Sequence, residues 1–221
     1  HLEKVDLVIS MGGDGTFNEI VSGNLERKEP LIISHIPVGT TNDIGVMFGY
    51  GKDIKNNLKL LLKGCVKEMD ICLINNQPFV YVAGFGKFMQ VPYLTPRKLK
   101  KKYGYIAYII EGIKDYFSPT KLYKITYEVN GITKTGYYSF VLISNANRIA
   151  GINNFYRDVK LDDDKFEVLL CNFNRRKDII KTFSLLMTID ATKVSGVEFY
   201  KTNNMKIEFE EYPKYSWCID G

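Results

Sequence analysis

Two short stretches carry residue types that can do chemistry together. The first is Gly12-Gly13-Asp14-Gly15-Thr16, which follows an apolar run and leads straight into a helical pattern. Glycines at 12, 13 and 15 let the backbone approach a ligand closely and adopt positive φ. A helix starting there presents unpaired N–H groups and the positive end of its dipole. Together these make a phosphate site, with Thr16 either capping the helix or donating to a phosphate oxygen. Asp14 is the telling residue, because a carboxylate in a phosphate cradle repels the ligand unless a divalent cation stands between them. Without a ligand, the same residues make a tight strand–helix turn in which Asp14 merely caps.

The second stretch, Ile36-Pro37-Val38-Gly39-Thr40-Thr41-Asn42-Asp43, repeats the logic of strand, turn, small hydroxyl residues and helix start. Thr40 followed by Asp43 has the spacing of a capping box, with Asp in place of Glu. Parallel strands that end together put both turns on the C-terminal edge of the sheet, where open α/β folds bind ligands. Two helix starts on one edge predict a nucleotide site. Plain helix capping by Asn42 and Asp43 is the alternative.

The elements that must hold these turns are legible around them. Val5–Ser10 is a continuous apolar run, read as a strand buried on both faces. Phe17, Ile20, Val21 and Leu25 recur at helical spacing, and Leu31–Ile36 reads as a second buried strand. A helix is predicted from Asn42, and another through Leu58 and Leu62 that stops near Gly64. This alternation predicts a doubly wound α/β domain with a parallel sheet.

From Met69 the pattern changes to successive strands: Ile71–Ile74, Phe79–Ala83, Leu122–Val129, Thr133–Ser144, Phe166–Cys171, Gly196–Thr202, Met205–Phe209 and Ser216–Ile219. Asn75-Asn76 and Asn130-Gly131 are hairpin signals. Thr126, Glu128, Thr133 and Thr135 alternate with apolar residues, as on a sheet with one wet face. Helices are expected over Tyr103–Tyr116 and Arg176–Asp190. The chain therefore divides into an α/β nucleotide-binding domain over 1–70, partial at its start, and a β-rich, sandwich-like domain over 71–221.

Composition narrows the classes. The chain has 221 residues, 45% hydrophobic and 25% charged, which excludes disorder, collagen and low-complexity arrays. No apolar run approaches the ~20 residues of a membrane span, and HLEKVDLVIS lacks the pattern of a signal peptide. Cys65, Cys72, Cys171 and Cys218 have no metal spacing and read as reduced core residues of a cytoplasmic protein. The net charge of +5 suits anionic ligands or an anionic membrane surface without identifying either. His35, at a strand end, is read as a packed residue, and no Ser/His/Asp arrangement is present.

GGDGTFNEIVSG (12–23) followed by IPVGTTNDIG (36–45) resembles the diacylglycerol kinase catalytic family, whose superfamily includes sphingosine and ceramide kinases. GGDG alone occurs in NAD kinases and phosphofructokinases; the IPVGTTND partner at this spacing is specific to the lipid kinases. MDICLINNQPFVYVAGFG (69–86), LDDDKFEVLL (161–170) and CIDG (218–221) resemble the family's entry into its β domain, its metal turn and its catalytic turn. The resemblance implies an ATP- and Mg²⁺-dependent transfer of the γ-phosphoryl group to a lipid hydroxyl, diacylglycerol foremost, at a cleft between the two domains. Gly12, Gly13, Asp14, Gly15, Thr16, Phe17, Asn18 and Thr40 would surround the nucleotide. Asp14 and Asp220 would be catalytic. Asp43, Asp70 and Asp163 would belong to a metal-linked acidic network, with the carbonyls of Lys160 and Lys165 as further ligands.

The sequence departs from the family pattern in places. Its usual Asp-Gly stands here as Asp163-Asp164, so a glycine is lost where positive φ can be needed; Asp tolerates that conformation better than most residues. The family's catalytic Glu would follow Gly221, and a first strand–helix–strand unit would precede residue 1. On that comparison the chain reads as a fragment, inactive as written or in need of a further segment.

Secondary features complete the reading. Arg97-Lys98-Leu99-Lys100-Lys101-Lys102 is a basic run for anionic headgroups or a solvated loop. Tyr103, Ile106, Ala107, Ile109, Ile110 and Ile113 form an apolar helix, read as core packing in preference to a lipid-pocket border. Nucleic-acid binding is not expected. The expected enzyme is peripheral to the membrane, and exposed strand edges permit a homodimer. The rivals are an NAD-kinase-like enzyme and a non-catalytic lipid- or nucleotide-binding protein.

Overall fold

The structure, a computed structural model, describes residues 5–156, 158–173, 196–211, 213 and 216–220. The helix expected over Arg176–Asp190 and the residue Gly221 lie outside these. The chain is a mixed α/β protein with several sheets. It opens with β1 (Leu7–Gly12), α1 (Asp14–Leu25), β2 (Ile32–Pro37), α2 (Asp43–Met47) and α3 (Ile54–Leu62). β1 and β2 run parallel, from Leu7 opposite Ile32 to Gly12 opposite Pro37. The wound sheet thus consists of two strands among the described residues. Leu7, Ile9 and Met11 stand exposed, which corrects the expectation of a strand buried on both faces. α1 packs against β1 and places Phe17 and Val21 in the core, so one face of the strand is covered.

A hairpin of β3 (Cys72–Ile74) and β4 (Gln77–Phe79) follows, turning on Asn75 and Asn76, both at positive φ (47° and 67°). That is the conformation a two-residue hairpin loop demands and that Asn tolerates. β5 (Val82–Gly86) leads to α4 (Val91–Leu94), α5 (Arg97–Tyr103) and α6 (Tyr105–Phe117). The basic run is therefore helical, not a loop. Lys, Arg and Leu are good helix formers, and Pro96 occupies the N-cap. β6 (Tyr123–Val129) and β7 (Ile132–Tyr138) form a hairpin on Asn130-Gly131, again both at positive φ. The strand predicted over Thr133–Ser144 breaks at Ser139, where β8 (Phe140–Ser144) moves to another sheet. The remaining elements are β9 (Arg148–Ile149), β10 (Ile152–Asn153), β11 (Phe166–Cys171), β12 (Val197–Thr202), β13 (Met205–Phe209) and β14 (Cys218–Ile219).

The central layer is a five-stranded sheet in the order β12-β11-β8-β5-β14. Its side chains sort into two cores with period two, as the pleat dictates. Leu142, Leu169, Cys171 and Val82 join Phe17, Val21 and Ile44 of the first helices in one core. Val141, Ile143, Val168, Leu170, Ala83 and Phe85 pack with Ile125, Tyr127 and Val129 of the three-stranded β13-β6-β7 sheet in the other. Burial on both faces explains why these strands read as continuous apolar runs. The outer face of β6 and β7 is wet, and the Thr126 and Thr135 hydroxyls hydrogen-bond across it at 2.9 Å. Three cysteines are buried, whereas Cys65 is exposed, so it is no core residue. Among the described residues no helix is long and apolar enough to cross a membrane.

The two packed sheets are tied at one edge by Glu198. Its carboxylate accepts hydrogen bonds from the hydroxyls of Tyr127 (2.6 Å), Tyr200 (2.9 Å) and Tyr138, and from the Lys134 ammonium (3.0 Å). Burial alone would raise this carboxyl, but Tyr127, Tyr138, Lys134 and Tyr200 outweigh it and hold it down at about 2. A carboxyl depressed on folding stabilises above its unfolded value, and that stability is lost as pH falls through the folded value. With the side chain one-third exposed, screening reduces the effect to ~1–2 kcal/mol. Glu198→Gln should lose about that much unfolding free energy at pH 7 in urea titrations. The deficit should narrow as pH drops from 5 toward 2, and a pH-independent deficit would refute the assignment.

Candidate active site

Because β1 and β2 end in step, both turns leave the sheet at one edge. The Val38 N–H donates to the Gly12 carbonyl (2.8 Å). A Cβ on Gly39 would fall 2.5 Å from the Gly13 Cα. Contact that close between two backbones leaves no room for a side chain.

Asp14 opens α1, yet its carboxylate reaches across to the second turn. Oδ2 accepts from the Asp43 N–H (3.2 Å) and Oδ1 from the Ile44 N–H (3.0 Å). It thus caps α2, while the N-cap of its own helix, Gly13, offers no side chain. The capping box expected of Thr40 and Asp43 is not formed. The N-cap of α2 is Asn42, in the left-handed region (φ 54°, ψ 40°) and making no side-chain cap bond. With Asp14 already holding the first α2 amides, the Asn42 side chain closes back on Gly39, accepting from its N–H (2.7 Å) and donating to its carbonyl (2.9 Å).

The other expected nucleotide residues separate into two groups. Phe17 is a core anchor, its ring 4.9 Å from that of His35, which is buried beside Ser10 as a packed residue. Asn18 Oδ1 is buried without a partner. Thr16 folds over Gly12, and Thr40 lies beside the Tyr108 hydroxyl of α6.

Two more carboxylates close the seam. Asp43 is buried; its Oδ1 accepts from Arg148 Nε (2.7 Å) and the Gly151 N–H (3.1 Å), and its Oδ2 from the Tyr81 hydroxyl (2.5 Å). Asp220, also buried, accepts from three successive amides, Val80 (2.8 Å), Tyr81 (2.9 Å) and Val82 (2.8 Å). Burial pushes the Asp220 carboxyl up to about 6 against those donors, and the charge of Asp14 adds to the rise. Asp14 is raised by burial and then by the charge of Asp43. Negative charge thus accumulates beside the two turns.

Asp70 reaches the Asp163-Asp164 turn, which is separate from the two glycine turns. The Asp70 N–H donates to the Leu161 carbonyl (2.7 Å), and Asp70 Oδ2 accepts from the Asp164 N–H (2.7 Å). Asp164 adopts φ 55°, a left-handed conformation that Asp tolerates better than most residues. Asp163 Oδ2 pairs with Lys201 Nζ (2.8 Å), and Lys201 lies 3.4 Å from Glu167.

Residues 1–74 match the diacylglycerol kinase catalytic domain. The chain is 28% identical over 223 residues to the diacylglycerol kinase of Bacillus subtilis (strain 168), covering 100% of this chain and 72% of that protein. It is 31% identical over 205 residues to the diacylglycerol kinase of Staphylococcus aureus (strain JH9), covering 93% of this chain and 65% of the relative. The chain is thus similar to bacterial diacylglycerol kinases over nearly its whole length. The crystal structure of a diacylglycerol kinase from Bacillus anthracis str. Sterne superposes with a TM-score of 0.78 at 25% identity, over 99% of this chain and 71% of that one. The chain spans 65 to 72% of the length of the curated relatives it matches.

The resemblance to these kinases implies magnesium. Among the described residues no three His, Cys, Asp or Glu side chains converge as a ready metal cluster. The turn between Lys160 and Lys165 nevertheless fits a cation, because Asp163 Oδ1 is buried and has no partner. The residues that sequence reasoning missed are the donors to the acids: Tyr81 and Arg148 on Asp43, and Lys201 on Asp163. Each sits far in sequence from its partner. Arg148, a lone cation in an otherwise uncharged run from Phe140 to Tyr156, was the one visible signal.

The contact of the two turns yields a direct test. Gly39→Ala should cost about 2–3 kcal/mol of stability, since its Cβ meets backbone. Gly51→Ala, which meets nothing within 4 Å, should leave the thermal midpoint nearly unchanged. Equal midpoints for the two variants would mean that the turns are not held together.

Proposed function

We propose that this chain carries the phosphoryl-transfer part of a lipid kinase, with ATP as donor and diacylglycerol as the first acceptor to test. The observation that carries the reading is the contact of two Gly-containing turns at one sheet edge, locked by the Asp14 carboxylate on the amides of Asp43 and Ile44. The names of the relatives support the choice of lipid. In this reading a nucleotide-binding unit over 1–70 and a β-rich unit over 71–221 flank the site. Gly12, Gly13, Gly15, Thr16, Asn18 and Thr40 border the polyphosphate, and Phe17 anchors the helix that presents them.

Phosphoryl transfer asks the protein for alignment and charge neutralisation, with little covalent chemistry. The acceptor hydroxyl oxygen forms a bond to the γ-phosphorus as the bond to ADP breaks. Asp14 fixes the spacing of the two turns. Asp43 ties them to the β-rich unit through Tyr81 and Arg148. Asp220, pinned by three amides, faces the same seam and orients the acceptor end. Asp163, with the carbonyls of Lys160 and Lys165, would hold magnesium near Asp70. When bound, that cation offsets phosphate and carboxylate charge. The enzyme is placed at the cytoplasmic membrane surface, where its acceptor resides, and a homodimer is compatible with it.

One observation favours a second reading, a non-catalytic nucleotide- or lipid-binding module: the carboxylates of Asp14, Asp43 and Asp220 all accept hydrogen bonds within the protein. The full chain should transfer labelled γ-phosphate from MgATP to diacylglycerol in mixed micelles. Asp14→Asn should cut the rate about 100-fold or more, as should Asp220→Asn. Unchanged rates in both variants would eliminate the mechanism, and lipid binding without ATP consumption by the wild type would establish the module instead.

A further inference from the structure

Glu167 is out of character in β11. The strand reads FEVLLC, and its one charged residue is 1% exposed. Its Oε1 lies 3.4 Å from the Lys201 ammonium, and its Oε2 is buried without a partner. An ion pair in a core adds little stability over an apolar pair of the same volume. Stability alone therefore does not account for a carboxyl here.

The strand register explains what Lys201 reaches. Glu167 and Lys201 face each other across the antiparallel β11–β12 pair, so their side chains share one face of the sheet. The turn that carries Asp163 leads directly into β11. A lysine stem from β12 therefore spans both carboxyls, 2.8 Å from Asp163 Oδ2 and 3.4 Å from Glu167 Oε1. The side chains of Asp163, Lys201 and Glu167 are 23%, 30% and 2% exposed, which spares them much of the screening that weakens surface pairs.

The two oxygens of Asp163 are used differently. Oδ2 is held by Lys201, whereas Oδ1 is buried with no partner. The backbone of the turn is fixed independently. Asp70 Oδ2 accepts from the Asp164 N–H, and the Leu161 carbonyl accepts from the Asp70 N–H and from Asn145 Nδ2 (3.3 Å). With the backbone held and one carboxylate oxygen occupied, the other is left for a ligand. A hard divalent cation, which takes oxygen ligands, suits it. Lys201 alone would repel such a cation, and Glu167 behind it offsets that charge.

We infer that Glu167 and Lys201 position Asp163 as a magnesium ligand: Lys201 holds Oδ2 and so reserves Oδ1 for the cation, while Glu167 fixes and neutralises Lys201. The inference deepens the lipid-kinase reading and rests on its magnesium part. Lys201 is a positioning residue in it, acting through Asp163. Partners behind a metal ligand typically account for about 10- to 100-fold in metal affinity.

The test titrates the full chain with magnesium chloride alone, by calorimetry and by the shift of the thermal midpoint, with neither ATP nor lipid present. The wild type should bind magnesium, and Asp163→Asn should abolish the binding. Lys201→Met should weaken it by about 10- to 100-fold, and Lys201→Arg should restore most of it. Lys201→Met leaves Glu167 buried alone, so the double variant Lys201→Met with Glu167→Gln covers the case in which the single one does not fold. The double variant should keep the wild-type thermal midpoint without magnesium yet show the same loss of affinity.

Wild-type magnesium affinity in the double variant would overturn the inference and leave the pair a purely structural one. Tighter binding would overturn it as well, since Lys201 would then compete with the cation. So would a wild type that binds no magnesium. Weakened variants in a chain that transfers no phosphate from ATP would sink the kinase reading alone. Phosphate transfer by a wild type whose double variant binds magnesium equally well would sink the positioning role alone.

Discussion

The spacing between two turns is the constraint on which the rest of this structure depends. A two-stranded parallel pair fixes only where its strands end; it does not stop the following loops from splaying. Here the Asp14 carboxylate spans the gap and takes the first amides of α2, while Gly13 and Gly39 meet backbone to backbone. A carboxylate on helix amides is a charge-assisted bond and stronger than a neutral one. It is the bond by which the first turn positions the second.

That placement has an electrostatic cost, visible in the raised Asp14 and Asp220 carboxyls. Each acid near the seam is held by donors: amides for Asp14 and Asp220, a guanidinium and a phenol for Asp43. The protein thus satisfies these carboxylates internally. Arg148 and Tyr81 come from the β-rich part of the chain, so the acid that starts α2 also fastens the turn-bearing elements to the central sheet.

Much of this was legible in the residues. Hairpins at Asn75-Asn76 and Asn130-Gly131 follow from local backbone preference, and both turns occur. The two glycine turns were legible because glycine and helix-start chemistry are encoded within a few residues. Three features were not. The Thr40–Asp43 box lost to Asp14, a partner 29 residues away from Asp43, because a tertiary donor–acceptor match outcompetes a local one. The isoleucines of α6 carry a period that signals an apolar face but not the side it points to; they stand exposed, against the expectation of core packing. The break at Ser139 is a change of sheet, invisible to a pattern that alternates on both sides of it.

The central sheet has a mechanical corollary. β5, β8 and β11 serve as the floor of one core and the ceiling of the other, neighbouring residues on the same strand belonging to different compartments. Neither the helical layer nor the three-stranded layer can peel away without wetting a face of all three strands. The two halves of the chain are thereby bound to melt as one cooperative block, and the seam between the turns and Asp220 inherits the stiffness of the whole.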